Sequence, residues 1–277
     1  MEVTRFAPSP TGFLHLGHAF SALFAAEQGD RFILRMEDID KGRCRPEFVT
    51  AIYDDLAWLG LEWELPVRRQ SDHMDDYQAA LEKLSVQELI YPCFCTRSDI
   101  KAEIDRAGGA PQGPDGPIYP GLCRALSPAE REDRLAAGEP HALRIDIAQA
   151  VDRAGALPWA DRKRGTFTAN PRQFGDVVLA RKDTPTSYHL AVTVDDALQG
   201  ITLVTRGQDL APATDLHRLL QALLDLPVPD YHHHRLLTDE TGRRYAKRDS
   251  SLTLKALREA GQSPNQIRNM LRRGDTR

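Results

Sequence analysis

His15 and His18 bracket Leu16-Gly17 near the start of the 277-residue chain. Imidazole nitrogens can hydrogen-bond the oxygens of a phosphate chain. A strand-like stretch, Val3 to Ala7, and a turn rich in proline and glycine precede them, and a helix-like stretch, Leu16 to Glu27, follows. The pattern predicts a strand–turn–helix whose helix opens on a glycine and two imidazoles. A helix N-terminus has unpaired N–H groups and a partial positive charge, so it seats phosphate well.

A second cluster is built from sulfur. Cys93-Phe94-Cys95 sets two thiols close together, and Cys123 can return to them across residues 106–122, where nine of seventeen residues are Gly or Pro. A closed structural zinc site takes four ligands, and three cysteines leave one place open. By ligand chemistry alone His141 is the conventional fourth. Tyr119 is the other candidate: a phenol ordinarily keeps its proton to near pH 10, but bound Zn²⁺ favours deprotonated ligands. Cys44 stands apart and reads as a free thiol. His232-His233-His234 resembles a metal site, but adjacent strand residues alternate faces, so a strand or loop role is expected.

The elements that must hold these residues alternate in type. Arg31 to Met36 reads as a strand ending at Glu37-Asp38-Ile39-Asp40. Pro46 suits the first position of a helix carrying Val49, Ile52, Leu56 and Leu59. Met74, Tyr77, Leu81 and Leu84 mark another helix face. Residues 106–122 break the pattern as an irregular insert. His141 to Ile147, Asp176 to Arg181, Tyr188 to Val194 and Ile201 to Arg206 read as strands, and Ala211 to Leu226 as a helix. This alternation predicts an α/β fold with a parallel sheet in two halves.

Composition is that of an ordinary globular chain, with 41% apolar residues and a net charge of −4, which argues against bulk electrostatic binding of nucleic acid. Charge is unevenly placed: Tyr231 to Arg277 holds 11 Lys/Arg against 5 Asp/Glu, so the first 230 residues carry −10. A basic end on an acidic body suits a local RNA contact. No apolar run approaches the roughly 18–20 residues of a membrane span. No basic-then-apolar leader opens the chain, so a cytoplasmic protein is expected.

Residues 5–18, Arg-Phe-Ala-Pro-Ser-Pro-Thr-Gly-Phe-Leu-His-Leu-Gly-His, resemble the HIGH motif of class I aminoacyl-tRNA synthetases, and the first eight are similar to the glutamyl/glutaminyl branch. The resemblance implies ATP binding by His15, Gly17 and His18. It implies glutamate binding by Arg5, Phe6, Ala7, Pro8 and Ser9, by Glu37 in Arg-Met-Glu-Asp-Ile-Asp, by Tyr188 in Ser-Tyr-His-Leu-Ala-Val-Thr-Val-Asp-Asp, and by Arg206 in Val-Thr-Arg-Gly-Gln-Asp-Leu. Arginine forks suit the two carboxylates and a carboxylate suits the ammonium; which of Arg5 and Arg206 takes which carboxylate stays open. Arg244-Tyr245-Ala246-Lys247-Arg248 stands where the KMSKS motif is expected. It departs from that motif at the first lysine and at a serine, but keeps Lys247 to stabilise charge on the triphosphate.

The cysteine spacing, with Tyr-x-x-x-Cys after Cys-x-Cys, is similar to the zinc site of the glutamyl-queuosine tRNA(Asp) synthetase family, which implies Cys93, Cys95, Tyr119 and Cys123 as ligands of one structural Zn²⁺. The chain ends 30 residues after Lys247, too few for an anticodon-binding domain, and this too is similar to that family. The implied fold is a class I Rossmann-type parallel sheet (1–92 and 171–230), a zinc-bearing insert (93–170) and a short helical C-terminal piece (231–277). The implied reaction is tRNA-independent activation of L-glutamate by ATP with Mg²⁺, then transfer to queuosine at the wobble position of tRNA(Asp), by a monomer away from membranes. Two other readings stand beside it: a compact synthetase or ligase with another acceptor, and a non-catalytic relative that binds nucleotide, RNA or zinc.

Overall fold

The structure, a computed structural model, describes residues 1–237 and 253–273. Its elements in chain order are β1 (Val3–Phe6), α1 (Leu16–Gln28), β2 (Arg31–Met36), α2 (Pro46–Trp58), β3 (Arg68–Arg69), α3 (Met74–Val86) and β4 (Ile90–Cys93). Then come α4 (Arg97–Arg106), β5 (Gln112–Gly113), β6 (Gly116–Pro117), α5 (Pro128–Ala136), β7 (Ala142–Ile145), α6 (Ile147–Ala154), β8 (Pro158–Asp161) and β9 (Gly165–Thr168). The remainder are β10 (Val178–Ala180), α7 (Tyr188–Leu198), β11 (Leu203–Gly207), α8 (Ala213–Leu223), β12 (Asp230–His234), α9 (Leu254–Glu259) and α10 (Pro264–Arg273).

β1, β2 and β3 pair in parallel, with Thr4 opposite Phe32 and Arg35 opposite Arg68. β11, β12 and β8 also pair in parallel, and β9 closes that edge antiparallel. The two sets adjoin at β1 and β11, where Thr202 N–H donates to the Val3 carbonyl at 3.1 Å and Val3 N–H donates to Thr202 Oγ1 at 2.9 Å. The period of two in β2 divides its residues between the faces. Phe32, Leu34 and Met36 join a core with α1, α2, α9 and α10, while Ile33 packs with Val3, Val204 and Tyr231 on the other face. Helices α3, α6, α7 and α8 build a separate core. The expected α/β fold with a parallel sheet is therefore present, and the stretch 93–170 adds β8 and β9 to the sheet as well as carrying the cysteines. No described helix is long and apolar enough to cross a membrane.

One expected strand is a helix. Tyr188 to Val194 opens α7, with Ser187 as its N-cap accepting from Leu190 N–H. Leu190 to Asp196 are all buried. A helix covered all round shows no apolar stripe, and its Val-Thr-Val run reads as β-branched strand.

Candidate active site

Strand direction places the chemistry. Arg5 lies near the end of β1, Glu37 just beyond β2, Arg206 near the end of β11 and His234 at the end of β12. Ligands of open parallel sheets bind beyond these carboxyl ends. A cavity of about 240 Å³ opens there, and its lining includes Arg5, Phe6, Ala7, His15, Gly17, His18, Glu37, Tyr188 and Arg206. Pro8 and Ser9 do not line it. The Pro8 carbonyl instead accepts from Glu37 N–H at 3.0 Å, and Ser9 is exposed.

The two imidazoles cap α1. Gly17 N–H donates to His15 Nδ1 at 3.1 Å, and His15 N–H donates to His18 Nδ1 at 3.2 Å. A neutral ring whose Nδ1 accepts carries its proton on Nε2. Both rings are thus set as Nε2–H donors beside the helix N-terminus, the sense a phosphate oxygen needs. Their centroids lie 3.8 Å apart. A Cβ at position 17 would come within 2.9 Å of the His15 ring, so glycine is required for this stack.

The acidic and basic groups divide into two sets. In the first, Arg5 makes a forked pair with Asp196 at 3.0 and 3.3 Å, and its Nη1 donates to the Thr205 carbonyl at 3.1 Å. Arg35, fully buried, reaches Asp196 at 2.8 Å and Glu37 at 3.2 Å. Asp195 takes Arg68, Gln70 and Tyr77. Burial holds the Glu37 carboxyl above its usual range, against the pull of Arg35 and Arg5.

The second set centres on Arg206, only 6% exposed. Its Nη2 donates to Thr214 Oγ1 at 2.7 Å, its Nε to His233 Nε2 at 3.2 Å and its Nη1 to His217 Nδ1 at 3.2 Å. Burial and then the Arg206 charge push His233 down to about 4 and His217 well below the usual imidazole range, so both rings are neutral acceptors near pH 7. Among the described residues no carboxylate pairs with Arg206. A buried guanidinium with only neutral partners is a ready receptor for a carboxylate. Tyr188 stands edge-on to His217, and burial raises its phenol.

The sulfur cluster lies at the end of β4. Cys95 Sγ is 3.4 Å from Cys123 Sγ and 3.4 Å from the Tyr119 hydroxyl, and Cys93 Sγ is 3.5 Å from that hydroxyl. The three sulfurs all lie within 4.8 Å of one another. Tetrahedral Zn–S bonds of about 2.3 Å put sulfurs about 3.8 Å apart, so the donor set fits such an ion. The Tyr119 oxygen accepts from Cys123 N–H at 2.8 Å, and the Arg144 guanidinium lies 3.9 Å from its ring centroid. Both features favour negative charge on that oxygen. Burial pushes the Cys95 thiol up to about 12 and raises the Tyr119 phenol. A bound cation would reverse both shifts. His141 is not among these donors; its Nδ1 lies 3.1 Å from the Glu139 carbonyl.

The family model for the catalytic domain of class I tRNA synthetases (E and Q) matches residues 2–276. The chain belongs to this family. Class I synthetases are ATP-dependent ligases, and so is this one. It is 48% identical to the Glutamyl-Q tRNA(Asp) synthetase of Rhodobacter capsulatus, over 97% of this chain and 99% of that protein. It is 38% identical to the Glutamate--tRNA ligase of Aquifex aeolicus over 97% of this chain, but over only 56% of that protein. A solved glutamate tRNA ligase from Elizabethkingia meningosepticum, in complex with its amino acid, aligns with a TM-score of 0.75 and 30% identity over 90% of this chain and 52% of that one. The chain thus spans about half the length of the glutamate–tRNA ligases it matches.

Within this synthetase fold, several groups around the cavity had no role assigned to them from the sequence. Arg35, Asp195 and Asp196 are charges inside apolar runs, a pattern that could have marked them as buried partners. His217 gave no such sign, and His233 stood in the three-histidine run read as a strand or loop. Lys247 and its flanking residues lie outside the described residues. Of the described residues on either side, Leu237 lies on the cavity wall and Thr253 bridges to His15.

Proposed function

We propose that this synthetase activates L-glutamate with ATP to glutamyl-adenylate without needing tRNA, and then transfers the glutamyl group to a hydroxyl of the cyclopentene ring of queuosine at the wobble position of tRNA(Asp), releasing AMP and the hydroxyl proton. The observation that carries the activation step is that one cavity holds Arg206, which no carboxylate among the described residues pairs with, and Glu37 beside the two-imidazole helix cap. Support for the acceptor is the 48% identity to a Glutamyl-Q tRNA(Asp) synthetase, against 38% to a glutamate–tRNA ligase.

In this reading Glu37 takes the ammonium. Arg206 takes the side-chain carboxylate rather than the nucleophilic one. A guanidinium clamped on the α-carboxylate would stabilise the ground state and lose its partner's charge as the acyl phosphate forms. The α-carboxylate oxygen attacks the α-phosphorus of ATP, the bond to the bridging oxygen breaks, and pyrophosphate leaves. His15 and His18 donate to phosphate oxygens at the α1 N-terminus, and Lys247, which stands where the KMSKS motif is expected, adds a cation. Mg²⁺ arrives with ATP and offsets triphosphate charge. Cys93, Cys95, Tyr119 and Cys123 hold one structural Zn²⁺, and metal analysis should return about one zinc per chain, lowered in Tyr119→Phe.

The activation step is tested by exchange of pyrophosphate into ATP. Exchange that depends on glutamate and proceeds without tRNA is expected. No exchange with glutamate would overturn the reading.

A further inference from the structure

Arg206 is held by histidines on two sides, and one of them begins a longer chain. Arg206 Nη1 donates to His217 Nδ1 at 3.2 Å. A neutral His217 then carries its proton on Nε2, and that nitrogen lies 3.1 Å from His189 Nδ1. His189 Nδ1 must accept, so His189 carries its own proton on Nε2, which lies 2.9 Å from Asp115 Oδ2. One proton assignment satisfies all three contacts: each group donates to the next, and the chain ends on a carboxylate. The reverse direction fails at once, because a guanidinium has no acceptor.

The members come from distant parts of the chain. Asp115 lies in the turn between β5 and β6, His189 follows Tyr188 in the first turn of α7, and His217 lies on α8. The hairpin is seated by close packing beside it. Gly175, at a φ of +63°, leaves room for Ile118, whose Cγ2 would be 2.4 Å from any Cβ there. A shorter arm repeats the logic: Arg206 Nε donates to His233 Nε2, and His233 Nδ1 lies 2.8 Å from Asp161 Oδ2. Asp161 also accepts from the N–H groups of Lys163, Arg164 and His233, so it is built into the fold. Asp115 is half exposed on a surface turn.

We propose that Asp115, acting through His189 and His217, is a positioning residue for the amino-acid pocket: it fixes the tautomers of both rings and so aims the Arg206 guanidinium. This rests on the reading of that cavity as the glutamate pocket. Without the carboxylate, His189 can move its proton to Nδ1. Two N–H groups would then meet unless His217 also shifts its proton, and that shift points an N–H at the Arg206 N–H. The guanidinium loses a buried acceptor and its fixed direction. With the carboxylate two rings away, Arg206 keeps its orientation while its charge stays available to a substrate.

The test uses Asp115→Ala, with Asp115→Asn as the conservative variant, since a carboxamide oxygen still accepts from His189 Nε2–H. His217→Gln offers an acceptor to Arg206 and a donor to His189, whereas His217→Leu offers neither. Long-range ¹H–¹⁵N spectra of the histidine rings should show His189 and His217 as Nε2–H tautomers in the parent and in Asp115→Asn, and a tautomer mixture in Asp115→Ala. In glutamate-dependent exchange, Asp115→Ala should raise the KM for glutamate about ten-fold, the loss expected for one buried hydrogen bond, with kcat and the KM for ATP within about two-fold of the parent. His217→Leu should do at least as much, His217→Gln should stay near the parent, and Asp115→Ala should add little to His217→Leu. An Nδ1–H tautomer at either ring of the parent, or ring signals and glutamate KM unmoved by Asp115→Ala, would overturn the proposal. If the parent shows no exchange with glutamate, the functional reading fails by itself and the spectra still decide the chain of donors.

Discussion

Arg206 and Arg35 are both buried guanidinium groups, but their surroundings differ in a way that separates function from stability. Among the described residues Arg206 has only neutral partners. Replacing it with glutamine removes a charge that no described carboxylate pairs with. The expected result is a KM for glutamate raised roughly 100-fold or more, with thermal stability little changed. Arg35 serves Asp196, Glu37 and Asp195. Arg35→Leu would leave those carboxylates short of a partner inside the protein, and should cost on the order of 3–5 kcal/mol. Calorimetry and exchange assays on the two variants should show opposite patterns; equal loss of stability would contradict this account. Arg5, Glu37, Tyr188 and Arg206, which line one cavity, were singled out because each sits inside an extended sequence pattern. Their partners were not. Asp196 reaches Arg5 across 191 positions and His233 reaches Arg206 across 27, and no local pattern encodes such pairings.

At the scale of elements, the contact between α2 and α9 carries a pH signature. Asp55 of α2 is fully buried, 3.2 Å from Arg258 Nη2 of α9, with neither carboxylate oxygen in a hydrogen bond. Burial raises its carboxyl to about 6, against the pull of Arg258. The folded chain therefore keeps a proton on Asp55 that the unfolded chain releases from about pH 4. That contribution is complete below pH 4 and is lost as pH rises through 6, a change of roughly 3 kcal/mol at most. Asp55→Asn cannot lose it. The melting temperature of the variant relative to the parent should climb between pH 4 and 7, and a constant difference would count against the assignment. Several elements could be placed from pattern: α2 begins at Pro46 as expected, and β2 spans Arg31–Met36 as read, whereas α4 to α6, β8 and β9 were not read. The miss at α7 has a physical cause. Burial on every side erases the 3.6-residue period, and only the Ser187 cap marks a helix.

Over the whole molecule, charge divides the surface by role. Lys163, Arg268 and Arg272 line a second cavity of about 290 Å³ where α1 and β12 meet α10, apart from the cavity that holds Arg5, Glu37 and Arg206. RNA binding through phosphates depends on such cations and weakens with salt. Lys163→Glu with Arg272→Glu should lower tRNA affinity at low salt and flatten its salt dependence, with tRNA-independent exchange unchanged. Equal affinity in parent and variant would exclude this face as the contact. The basic end was visible as a count of charges, but its junction with Lys163 and α1 arises only from the fold.

The acceptor is the central claim, and one measurement reaches it directly. Labelled glutamate, ATP and Mg²⁺ are offered with two samples of tRNA(Asp), one bearing queuosine and one bearing guanosine at the wobble position. Label on the queuosine sample alone is the predicted result. Label on both samples, or on the 3′ end of either, would contradict the account and point to a compact synthetase with an ordinary acceptor.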